Sequence, residues 1–197
     1  MTGLFLHQAH LAWTESQALL QEAVFMAPPS KSLRVGQRVT RDEAALFGIM
    51  EQRMVAIVFA YTALESFANE SIPDDYTFSQ QRNDKRFTEV YTKAQAEFLN
   101  LDIKLGNVLP PIFGVNTPKG GKIWNNYRLI KDLRDRIIHM KSKDRMPNTD
   151  PAEDTIWREL LDKSKPNVAL VAKDIVGYYL TKIPDSEKPR WFTLFPH

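Results

Sequence analysis

The 197-residue sequence contains no cysteine, which excludes a disulfide framework, thiolate catalysis and zinc sites built on cysteine. Charge imbalance is nearly absent too. A formal net charge of +2 and a pI of ≈ 8.7 are too mild to attract nucleic acid globally, so any electrostatic case must rest on local clustering. Long apolar runs are missing. The longest, Met54 to Leu64, is interrupted by Tyr61 and Thr62 and falls short of the roughly 20 residues a membrane span needs. The first residues, Met1 to His7, lack a basic stretch followed by an apolar core, so they do not read as a secretory signal. Strand-like alternation is scarce, internal repeats are absent and no metal-ligand cluster stands out. The expectation is a soluble cytoplasmic protein with no cofactor and no membrane partner.

At 43% hydrophobic and 25% charged residues, the composition is that of an ordinary globular protein. Apolar residues recur at helical spacing through most of the chain, which predicts an all-α fold of about five to seven helices. One helical domain is expected over residues 1–183, followed by a C-terminal tail, 184–197. A first helix is expected from Leu4 to Phe25, ending before Pro28-Pro29, with a basic loop over 30–39. A second opens at the capping box Thr40-Arg41-Asp42-Glu43 and continues to Ser71, long enough to serve as the spine. Residues 74–84 read as polar turn, and a third helix is expected over 85–100. A shorter one, 101–108, should stop at Pro110-Pro111, because proline removes a helix hydrogen bond. After a glycine-bearing loop, a helix follows over 122–141, then two more over 151–162 and 166–182, each with proline near its start.

Ile123, Tyr127, Ile130, Leu133, Ile137 and Ile138 share one sector of the 122–141 helix, which predicts that this sector faces the core. Asp135 and His139 lie four apart on the polar side with Arg128, where Asp135 could orient the imidazole. Arg134 instead falls inside the apolar sector. Glu65 does the same on the spine helix beside Phe47, Met54 and Val58. Buried charges need partners, so an Arg134–Glu65 ion pair is expected. Between Arg128 and Arg145 the chain carries its densest run of cations, and Arg128, Lys131, Lys141 and Lys143 are candidates for holding an RNA backbone. His139 is the one histidine away from the termini. His7 and His10 read as structural or surface groups. A second Arg-to-His match, Arg190 with His197, sits in a proline-punctuated tail and is set aside.

The segment Leu133-Arg134-Asp135-Arg136-Ile137-Ile138-His139-Met140, together with Tyr61 to Glu70, the proline-bearing stretch 105–113 and Trp124, resembles HEPN-domain proteins over about residues 42–182. The resemblance implies an all-α, HEPN-like bundle, usually dimeric. It also implies a metal-independent endoribonuclease of the kind found in toxin–antitoxin, phage-defence and RNA-processing systems, or a relative that has lost catalysis and binds nucleotide, RNA or protein. Carried over by position, Arg134, Asp135 and His139 would be the catalytic residues, with Asp135 standing where asparagine is commoner. Glu65 and Asn69 match a recurrent segment and would be supporting. RNA, a second copy of the chain and an antitoxin protein are the partners so implied. Cleavage by 2′-hydroxyl attack needs a base, an acid and charge stabilisation, so a two-fold dimer would bring two histidines and two arginines into one cleft.

Overall fold

The computed structural model describes residues 1–22, 43–81, 88–145 and 155–196, and these are mostly helical with one small two-stranded sheet. The longest element is α2, Glu43–Glu70. Apolar residues surround it on nearly every side, as suits a helix that others pack against. By length and composition alone its stretch Ala44–Glu70 could cross a membrane. Here it runs along α1 (Thr2–Glu22) and also meets α6 (Lys122–Ile138), α8 (Ile156–Leu161) and α9 (Val168–Tyr179). Leu6, Ala9 and Trp13 of α1, Ala56, Ala60, Ala63 and Leu64 of α2, and Ile175 and Val176 of α9 form the buried centre. Small residues on α2 let the neighbouring helices approach closely. The predicted capping box at 40–43, the end of the first helix, the basic loop and residues 151–154 lie wholly or partly outside the described residues.

Two expectations fail between Asp74 and Asn100. The chain forms β1, Thr77–Gln81, and β2, Thr88–Thr92, paired antiparallel with Phe78 opposite Tyr91, and only then a single turn of helix, α3, Lys93–Ala96. The reason is side-chain type. Thr88, Val90, Tyr91 and Thr92 favour a pleated surface, and the Phe78–Tyr91 ring contact at 6.1 Å gives the pair an apolar anchor.

Pro110 and Pro111 do not stop the next helix either. α4 (Leu101–Ile103) passes into a π-helical turn, Lys104–Val108, and then α5, Leu109–Phe113, capped by Gly114 in the left-handed region at φ 63°. In π geometry each carbonyl bonds the N–H five residues on, so Leu105 and Gly106 face prolines that have none. Side chains from elsewhere donate instead. The Tyr179 hydroxyl bonds the Leu105 carbonyl at 2.5 Å, and Thr117 Oγ1 bonds that of Gly106 at 2.7 Å.

α6 ends at Ile138, three residues earlier than expected, and a short α7, Ser142–Arg145, follows. Its core face is Tyr127, Ile130, Leu133 and Ile137; Ile123 is half-buried and Ile138 is 51% exposed, which corrects its assignment to the core. Beyond a 3-10 turn at Leu180–Lys182, the tail folds back with α10, Arg190–Leu194. Trp191 sits on Gly3 and Phe192 near Gly177, while Lys173, itself buried, donates to the carbonyls of Phe195 and Pro196.

Candidate functional site

Tyr61, Glu65 and Asn69 recur every four residues on α2, so they stand in one row along the helix. Facing that row, α6 contributes Lys131, Arg134 and Asp135, and the turn from Glu97 to Leu101 closes one side. Together they line a cleft of ≈ 490 Å³ with Lys104 among its lining residues.

Arg134 is half-buried, as its place in the apolar sector requires. Its guanidinium lies 4.8 Å from the centre of the Tyr61 ring, and one N–H bonds Asp135 Oδ1 at 3.0 Å. The expected Arg134–Glu65 ion pair does not form among the described residues: Glu65 lines the same cleft, but Arg134 takes the nearer carboxylate of its own neighbour. Asp135 is therefore committed to Arg134. It does not orient the His139 ring, and its contact with His139 is through the backbone, whose N–H donates to the Asp135 carbonyl at 2.8 Å.

His139 caps the C-terminal end of α6 with non-helical backbone, φ −116° and ψ 60°. Its side chain is exposed, makes no hydrogen bond among the described residues, and is not part of the cleft lining. Four residues separate it from Arg134, and five helical steps turn roughly 140°, so the two side chains leave α6 in different directions within one chain.

The proposed RNA-binding cations divide. Lys131 lines the cleft and donates to Asp102 Oδ2 at 2.6 Å. Arg128, on the exposed side, pairs loosely with Asp132 at 3.6 Å. Lys141 is exposed beyond the helix end; Lys143 belongs to α7, and its side chain lies outside the described part. Asn69 holds the Lys104 ammonium through Oδ1 at 2.6 Å.

Behind the cleft runs a polar network that sequence reasoning missed. The Tyr127 hydroxyl donates to Asp102, which Lys131 also bonds. Burial pushes the Asp102 carboxyl up, but the hydrogen bonds from Lys131 and Tyr127 outweigh it and hold the group below its ordinary range. Burial, aided by the Glu65 charge, pushes the Tyr61 phenol up to about 12, so it stays a neutral donor at physiological pH. Burial and the bond to Asp102 raise Tyr127 as well. Lys104 is the other omission. It is 4% exposed, its amine is lowered by burial, and it bonds Asn69 and the Glu97 carbonyl, each at 2.6 Å. The available signal was a lysine set between the apolar Ile103 and Leu105.

Two bracing contacts hold the far end of α6. Arg136 bonds buried Asp144 at 3.3 Å, and Asp144 in turn accepts the Ile156 backbone N–H at 2.6 Å. Among the described residues no group of three or more His, Asp or Glu side chains is placed to hold a metal ion. No protein-family model matches the chain, and no curated protein or solved structure matches it either.

Proposed function

We propose that this chain is a HEPN-like, metal-independent endoribonuclease that acts as a homodimer. The observation that carries the reading is the exposed His139 imidazole, with no hydrogen-bond partner among the described residues, set at the end of α6 one turn beyond the Arg134–Asp135 pair. Imidazole is the side chain suited to both taking and giving a proton near neutral pH. None of the described residues engages it.

In the reaction, one His139 removes the proton of a ribose 2′-hydroxyl. The freed oxygen attacks the adjacent phosphorus, and the bond from phosphorus to the 5′-oxygen breaks. The leaving 5′-oxygen takes its proton from the His139 of the second copy. Arg134 stabilises the charge that develops on the phosphorane oxygens: a guanidinium has five N–H donors, and Asp135 engages one of them. The products carry a 2′,3′-cyclic phosphate and a 5′-hydroxyl. Arg128, exposed in the middle of α6, and Lys141, exposed beyond its end, are available to an RNA backbone.

A second reading has one specific observation in its favour. Arg134 is held against Tyr61 and Asp135 in a cleft whose lining does not include His139, as suits a cleft that binds RNA, nucleotide or protein without cleaving. Incubating single-stranded RNA with the purified chain in excess EDTA, beside a His139→Ala variant, separates the two. Cleavage to cyclic-phosphate ends that disappears in the variant supports the ribonuclease. Intact RNA, equal cleavage by both proteins, or activity restored by a divalent ion overturns it.

A further inference from the structure

Three cations line the cleft, and two of them have carboxylates of their own: Lys131 has Asp102 at 2.6 Å and Arg134 has Asp135 at 3.0 Å. The third differs. Lys104 gives two of its three N–H groups to neutral acceptors, Asn69 Oδ1 and the Glu97 carbonyl, and forms no ion pair among the described residues. Glu65 lines the same space. Its charge acts on Lys104, yet it makes neither a hydrogen bond nor an ion pair among the described residues. Among the described residues, one Lys104 N–H and both Glu65 carboxylate oxygens are thus without partners in the lining of the same half-open cleft.

At the rim stands Phe98, 90% exposed, on a turn fixed by backbone bonds from Glu97 to Lys93, Phe98 to Gln95 and Leu99 to Ala96. A lone exposed aromatic is unremarkable on a protein surface. Beside a cleft with an unmatched donor and acceptor it becomes a platform on which a flat ring can stack.

We infer that this cleft, lined by Glu65 and Lys104 and flanked by Phe98, is a guanine-recognition subsite for single-stranded RNA. The assignment to RNA rests on the reading proposed above. A bare phosphate would suit Lys104 but would face the Glu65 carboxylate, which disfavours it. Guanine satisfies both. Its Watson–Crick edge presents, in order, the O6 acceptor and the N1–H and N2–H donors, so O6 takes the remaining Lys104 N–H while Glu65 accepts the other two. Uracil would set its O2 against the carboxylate. Cytosine and adenine each present an acceptor where guanine presents N1–H. Such reading of an unstacked base, by its edge and by stacking, is the usual mode of sequence-specific RNA recognition.

The test is calorimetric binding of the four nucleoside 3′-monophosphates to the full wild-type chain, none of which requires cleavage. Guanosine 3′-monophosphate should bind tightest. Glu65→Gln should weaken it by roughly 5- to 150-fold, the range for a bidentate base contact, and level the four affinities. Phe98→Ala, whose exposure makes unfolding no concern, should weaken all four by a comparable factor of roughly 5 to 150. Equal affinities, binding of none, or a guanosine preference that survives Glu65→Gln overturns the subsite. A short single-stranded RNA with one guanosine among uridines should bind more tightly than the free nucleotide; if RNA is excluded while the nucleotide binds, the assignment to RNA falls. Guanosine binding without RNA cleavage would keep the subsite and remove the ribonuclease, and cleavage without guanosine preference would do the reverse.

Discussion

Replacing Asp144 by alanine removes the side chain that ties the end of the motif-bearing helix to α8. Asp144 is 1% exposed, and its Oδ1 accepts both the Ile156 N–H at 2.6 Å and Arg136 Nη2 at 3.3 Å. Ile156 is the first residue of α8, so Asp144 satisfies one of the N–H groups that a helix start leaves open. Leaving that buried donor unmet costs about 1–3 kcal/mol. Breaking a buried ion pair costs about 3–5 kcal/mol when the stranded charge has no alternative. Arg136 does have one, Glu159 at 4.0 Å, so the second cost is reduced. A combined loss of about 2–4 kcal/mol is expected, and at roughly 2–4 °C per kcal/mol for a chain of this size the Tm should fall by about 4–16 °C. Asp144→Asn keeps the oxygen for Ile156 and loses the charge, and should fall between the variant and wild type. Scanning calorimetry of the three proteins is the assay. His139 lies between the two anchored residues, so hydrogen exchange at its amide should also quicken in Asp144→Ala. A Tm shift below about 2 °C, or an Asn variant no better than the Ala variant, would refute the reasoning.

In the folded state the Asp102 carboxyl is held below its ordinary value of 3.8: burial raises it, and the bonds from Lys131 and Tyr127 more than reverse that. A depressed carboxyl contributes stability that is full above the ordinary value and lost as pH falls through the folded one, so Asp102→Asn should flatten the acid limb of a urea-midpoint profile below about pH 4; an unchanged limb would count against it. In Gly3→Ala the new Cβ would meet Trp191 Cβ and Cγ at 2.6 Å, so the tail should lift, with about 1–3 kcal/mol lost and a red-shifted tryptophan emission. Wild-type spectra would show that the contact is not tight. His139→Ala should leave the Tm within about 1 °C of wild type, because the side chain is exposed, and a larger fall would show that it packs. Mixed in equal amounts with wild type, that variant should depress cleavage beyond simple dilution, since heterodimers lack one of two histidines; strict dilution would argue for a site within one chain.

The four long helices were legible because their signals are local. Periodic apolar residues act within a few residues of one another, and they marked α1, α2, α6 and α9 over their described residues, with α6 and α9 ending at Ile138 and Tyr179, short of the 141 and 182 expected. The positions of Arg134 and Asp135 on one turn follow from spacing in the same way, whereas His139, expected inside a helix running to 141, caps its end instead. The strands were not legible. Each has five residues with most side chains exposed, and the Phe78–Tyr91 contact that anchors them exists only once they pair. Nor could the sequence reveal a helix continuing through Pro110 and Pro111, since the donors that replace the missing N–H groups are Thr117 and Tyr179, the latter 74 residues from the carbonyl it serves. The cleft follows the same rule. Composition and spacing marked Arg134 and Glu65 as charges in need of partners, but which partner each met depended on distances set by packing. Asp135 was nearer to Arg134 than Glu65 was, and Lys104 came to rest against Asn69, 35 residues away in the chain. Contacts within a helical turn are fixed by its geometry, whereas pairings between elements exist only where the assembled core brings them within reach.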